Sequence, residues 1–290
     1  MLELALPVAQ RGLLFASTLL VTGAVVWKRA IAPSLAAESL DPAPLIHRVA
    51  RLGTGSALLL LAVWGLRLVI QLHDFRDPFV PVQEDLAFLL GETFWGTVWV
   101  AQGVVTGILI LAFMRRGWRL AEWGVVFLAL TLSLSSHAMS VPFNRPLAVA
   151  VDASHLLAAG AWMGTLALIL LISRGKAPHL AVQLRAFSPL AMGAVGVLIF
   201  MGVVLSGVHL GELRSLWASS YGRILVGKIL LAGGVLLLGF LNWRRGLPAL
   251  DTPEGARRIR RRATWEVALA AAVLVATAVL TGTPMPEGVH

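Results

Sequence analysis

Apolar stretches near 20 residues recur along the chain with short polar breaks between them, at 7–31, 52–72, 93–114, 120–136, 147–173, 187–209, 220–243 and 263–283. Wound as α-helix at about 1.5 Å per residue, such lengths suit a hydrocarbon core about 30 Å thick. The pattern predicts an all-α fold: a polytopic transmembrane helix bundle of about eight spans. No linker, low-complexity stretch or soluble domain interrupts it, so residues 1–290 read as a single membrane domain.

The polar breaks alternate in charge. Lys28, Arg29, Arg48 and Arg51 follow the first run, acidic Asp74, Asp77, Glu84 and Asp85 the second, and Arg115, Arg116 and Arg119 the third. Arg174, Lys176 and Arg185 separate runs five and six, and seven arginines from Arg244 to Arg262 precede the last. Short loops rich in Lys and Arg stay on the cytoplasmic side. Both termini and the 73–92, 137–146 and 210–220 loops are therefore expected outside. The first basic cluster follows the first run, which predicts an uncleaved helix with its N-terminus outside.

Composition excludes other classes. The 290 residues are 58% hydrophobic and 13% charged, with mean hydropathy +0.81, whereas soluble domains carry about a quarter charged residues. The net charge of +9 lies in the interhelical clusters, so it encodes topology and points to lipid, with no nucleic acid as partner. Cysteine is absent, which removes disulfides, thiolate metal sites and cysteine nucleophiles. No nucleophile elbow, phosphate-binding loop or HExxH segment is present, so an enzyme or an ATP-driven pump is not expected of this chain. Trp95, Trp99, Trp118 and Trp123 fit interfacial belts, and Gly193, Gly196, Gly202, Ser206 and Gly207 fit close packing of the sixth helix.

The histidines cluster on one side: His73, His137, His155 and His209 fall in the outer half of the predicted bundle, with His290 at the chain end. Neutral imidazole suits copper and thioether suits the cuprous ion, and Met139 follows His137 by two residues. The expected metal ligands are His137, His155, Met139 and His209. Asp152 and His155, three apart, share a helix face, and His155 sits about 13 Å below residue 147. Ionisable groups at that depth default to function, with Asp152 orienting the imidazole. Met163, about two turns deeper on nearly the same face, extends a ladder inward, against a reading as core filler. Arg67 and Lys228 lie about two turns inside their helices and are expected to face Asp152 as structural glue or to meet an anionic ligand group. Glu266 is expected to balance Arg262 or another loop arginine, and Glu122 to balance Arg119.

The run Ser136-His137-Ala138-Met139, with Asp152-Ala153-Ser154-His155-Leu156-Leu157-Ala158-Ala159-Gly160-Ala161-Trp162-Met163-Gly164, resembles the central signature of the copper resistance protein D (CopD) family. Phe187-Ser188-Pro189-Leu190-Ala191, Ser206-Gly207, Tyr221-Gly222-Arg223, Lys228, Leu241-Asn242-Trp243-Arg244-Arg245, Glu266 and Leu280-Thr281-Gly282-Thr283-Pro284 match it in the same order, so the resemblance covers about 137–284. It implies a multi-pass protein of the bacterial inner (cytoplasmic) membrane, active in copper transport or homeostasis. It also implies a small periplasmic copper-binding partner of the copper resistance protein C type. His137, Asp152, His155, Arg223, Lys228 and Glu266 are the positions it carries over. Two other readings stand beside copper transport. One is a b-type haem electron-transfer subunit with two of His137, His155 and His209 as axial ligands and Arg67 and Lys228 on the propionates. The other is a metal-free accessory subunit of a larger membrane complex.

Overall fold

The computed structural model describes residues 2–136, 144–173, 177–210, 219–250 and 252–283, with side chains at these positions apart from 2–4, 177–178, 204–210, 247 and 253. No strand occurs among the described residues. The helices are α1 (Leu2–Val26), α2 (Ala32–Ala37), α3 (Ala43–Phe75), α4 (Val82–Gly91), α5 (Phe94–Arg115), α6 (Trp118–Leu134), α7 (Arg145–Ala159), α8 (Thr165–Ile172), α9 (Ala177–Leu210), α10 (Ser220–Leu241) and α11 (Pro253–Leu280). Single π-helical turns, Trp27–Ile31 and Gly160–Gly164, splice α1 to α2 and α7 to α8, and a third, Asn242–Gly246, ends α10.

Seven of the resulting segments are long and apolar enough to cross a membrane. α6, with 17 residues, spans about 25 Å and sits at the lower limit for crossing. The expected helical bundle is therefore present, with seven candidate spans among the described residues where the apolar runs predict about eight; α6 is the run that falls short. Large apolar side chains such as Val69, Phe127, Phe200, Val203 and Leu230 are exposed on its outside, which is the arrangement lipid favours and water does not.

The polar breaks act as helix punctuation. Thr93, Asn144, Ser219 and Thr252 each cap a helix by accepting a backbone N–H, from Gly96, Leu147, Gly222 and Gly255 respectively, which satisfies a donor left free at a helix start. Helices run beyond the apolar stretches: α3 starts nine residues before position 52 and α11 ten before 263. Hydropathy marks where lipid begins, whereas a helix continues until its hydrogen bonds are interrupted. The acidic 73–92 break likewise holds α4, a ten-residue helix opening directly after Pro81.

α1 is the hub, packing on α3, α6, α8, α11 and the Gly160–Gly164 turn. The approach to that turn is closest at glycine: a Cβ on Gly23 would strike the backbone of Gly164 and Thr165, and one on Gly164 the backbone of Leu19. Around it the core is filled by Val21, Trp27, Leu60, Leu109, Phe113 and Leu166. The expected role of Gly193, Gly196 and Gly202 is not found, because a Cβ at any of them would meet open space. Ser206 and Gly207 lie outside the described side chains. Trp99 is also not a belt residue: it is buried, stacks on Trp64 at 3.8 Å, and exchanges indole-to-carbonyl hydrogen bonds with it at 3.2 and 2.8 Å. Trp123 stays exposed, as a belt residue would.

Candidate functional site

A chain of polar side chains crosses the bundle from α3 to α7. Arg67 on α3 donates from Nη1 to Gln102 Oε1 on α5 at 3.0 Å, with its guanidinium over the Trp95 ring at 5.7 Å. Gln102 Nε2 donates in turn to the Thr131 carbonyl at 2.9 Å and to Ser135 Oγ at 3.0 Å. The next residue, Ser136, donates from Oγ to Asp152 Oδ2 on α7 at 2.9 Å. The two serines close the C-terminal end of α6, where short polar side chains replace the missing next turn of helix. Gln102 is 3% exposed, so its amide is satisfied by protein and not by water, as burial of a polar group demands.

His155 lies one turn deeper than Asp152 on the same helix face. Its Nδ1 is buried and makes no hydrogen bond among the described residues. Lys228 on α10 is within electrostatic reach of both His155 and Asp152, though Asp152 and Lys228 do not form an ion pair within 4.0 Å. A carboxylate, an imidazole with an unused nitrogen and an ammonium group are thus gathered from α7 and α10. A hydrogen-bonded serine holds the carboxylate in place.

Of the four expected ligands, only His155 has a described side chain. His137 and Met139 lie outside the described residues, and His209 has a described backbone, within α9, but no described side chain. Among the described residues no group of three His, Asp or Glu side chains comes together. Asp152 and His155 are therefore a pair, and a third ligand would have to come from elsewhere.

Several expected contacts are replaced by others. Arg67 does not face Asp152 directly; it is joined to Gln102. Met163 packs against the hydrophobic core, because the π-turn Gly160–Gly164 breaks the 3.6-residue register that placed it under His155. Glu122 pairs with Arg29, Oε1 to Nε at 3.4 Å, across helices and not with Arg119 on its own. Glu266, 3% exposed, takes a hydrogen bond from Asn242 Nδ2 at 2.8 Å and none from an arginine. Arg223 is exposed and, among the described residues, donates to Ser220 Oγ at 3.3 Å; His73 is exposed at the end of α3. Of the connecting residues, Ser136 belongs to the signature run, whereas Gln102 and Ser135 have no place in it. Gln102 carried a usable signal, as a lone amide inside an apolar run.

Residues 181–280 match the family model described as copper resistance protein D. Residues 1–141 match the one described as copper resistance protein D-like, N-terminal domain. Among curated proteins, the copper transport protein CutJ of Bacillus subtilis (strain 168) is 29% identical over 268 residues, covering 83% of this chain and 47% of that protein. The chain thus spans about half the length of that curated relative. No solved structure matches significantly.

Proposed function

Because the chain belongs to the copper resistance protein D family, we propose that this multi-pass membrane protein carries copper across the bacterial inner membrane as a transporter. The observation that carries the reading is the unpartnered, buried Nδ1 of His155 one turn below Asp152. A neutral imidazole keeps a lone pair free for a borderline or soft metal, and Asp152 supplies the negative charge that imidazole and thioether ligands lack. Ser136 keeps that carboxylate in one orientation, the supporting role that outer partners play at metal sites. His137, Met139 and His209 are the proposed companions of His155. Lys228 is the counter-charge of Asp152 while no copper is present, and an entering cation competes with it. The relative named a copper transport protein supports the cargo. Delivery by a small periplasmic copper-binding protein of the copper resistance protein C type is part of the same proposal.

The test is copper flux into proteoliposomes containing wild type or His155→Ala, with copper content and a visible spectrum recorded on the same purified samples. The expected result is a loss of at least about tenfold in rate and in bound copper for His155→Ala. Unchanged flux and copper content in the variant overturn the role of His155. A Soret band in the wild type, lost in the variant, replaces copper transport with the haem reading.

A further inference from the structure

A second polar group lies in the opposite half of the bundle, and nothing in the copper route uses it. α9 packs on α7 and α10 packs on α11, while α9 and α10 barely meet. Between them lies an open-sided groove of about 300 Å³, at the lower end of the range for ligand sites. Its walls are apolar and aromatic: Phe187 and Met192 on α9 stand across from Phe240 and Trp243 at the end of α10, with Trp162 behind them. Its floor is polar, formed by Glu266 and Asn242.

That floor has hydrogen-bonding capacity left over. Glu266 is 3% exposed, is held by Asn242 Nδ2 at 2.8 Å with the Trp162 side chain as a second hydrogen-bonding neighbour, and has no ion-pair partner among the described residues. Asn242 Oδ1 is buried with no hydrogen-bond partner among the described residues. Trp162 and Asn242 both stand in π-helical turns, Gly160–Gly164 and Asn242–Gly246, and such turns recur where helices are adapted to a site. An amide oxygen is an acceptor only, and a carboxyl group in either protonation state keeps acceptor capacity, so an occupant that satisfies both brings donors. Glu266 sits one turn past Ala263, about 5 Å beyond the arginine-rich start of α11. A polar head entering sideways from that leaflet reaches it without crossing the bilayer.

We infer that the groove between α9 and α10 binds a membrane-dissolved amphiphile whose head donates hydrogen bonds to Glu266 and Asn242 while its apolar body lies along Phe187, Phe240 and Trp243. Two sources share this chemistry, a hydroquinone and an ammonium-bearing phospholipid. Direct binding to the full chain in detergent separates them, using decyl benzohydroquinone against its dimethyl ether, and a short-chain phosphatidylethanolamine against the matching phosphatidylcholine.

The donor-bearing member of at least one pair binds about tenfold more tightly than its donor-less partner, and that pair names the source. Glu266→Ala abolishes the preference, and Ala191→Phe, which fills the groove wall, weakens binding of both members. Equal binding within both pairs by the wild type overturns the inference, and this arm holds even if Glu266→Ala fails to fold. A preference that survives Ala191→Phe at full affinity places the ligand elsewhere and overturns it as well.

Discussion

His155 and Gln102 are both polar residues at helical positions inside the bundle, but their surroundings differ. Gln102 uses its amide at both ends, accepting from Arg67 and donating to Thr131 and Ser135. His155 leaves Nδ1 unused, and a buried polar atom without a partner destabilises the fold. Replacing His155 with Leu should therefore leave the thermal midpoint of the purified protein unchanged or higher, while copper binding falls at least about tenfold. A marked fall in midpoint would show that the imidazole serves packing. The opposite result is expected of Gln102→Leu, which strands the Arg67 guanidinium and should cost about 1.5–3 kcal/mol in reversible denaturation. Adding Arg67→Met to that variant should recover much of the loss, because removing both partners leaves no orphan.

The placement of these side chains depends on elements that the apolar pattern describes incompletely. Eight apolar runs are legible because lipid imposes a length on any crossing helix, and the caps at Thr93, Ser219 and Thr252 are legible as polar residues at the breaks. The π-turn at Gly160–Gly164 is not, since no hydropathy rule distinguishes it from α-helix. Yet it is the surface on which α1 docks and the reason Met163 faces the core. Gly164→Ala should cost about 1–3 kcal/mol by forcing α1 off that turn. Gly193→Ala, where a Cβ meets nothing, should be neutral or stabilise by up to about 1 kcal/mol. Denaturation of the two variants side by side checks the contrast. Equal effects would show that small residues in the Gly160–Gly164 turn and in α9 are interchangeable, against the packing described.

At the scale of the molecule, two family models match separate stretches, 1–141 and 181–280, but the bundle interleaves them. α1, from the first stretch, packs on α11, from the second, and on α8 between them. The polar chain from Arg67 to Asp152 likewise starts in the first stretch and ends in the segment between the two. Charge gives the expected orientation: the 115–119 turn carries three arginines and the 73–92 segment the acidic residues. Because the chain has no cysteine, single cysteines can be introduced against a silent background. A cysteine at Phe79, 94% exposed, should react with a membrane-impermeant maleimide in intact cells, and one at Arg116 should react only after permeabilisation. The reverse labelling would invert the topology.

Sequence by itself determined the helical class, the approximate spans, the expected orientation and the Asp152–His155 face. Each rests on local rules: the length of an apolar run, the charge of a short loop, the 3.6-residue period. Tertiary structure alone decided which helices meet, and so decided the partners. Arg67 goes to Gln102, Glu122 to Arg29 and Glu266 to Asn242, all on other elements. A buried polar group takes whichever partner the packing brings within about 3 Å. That distance is set by helix crossings and π-turns, which leave little trace in the apolar pattern.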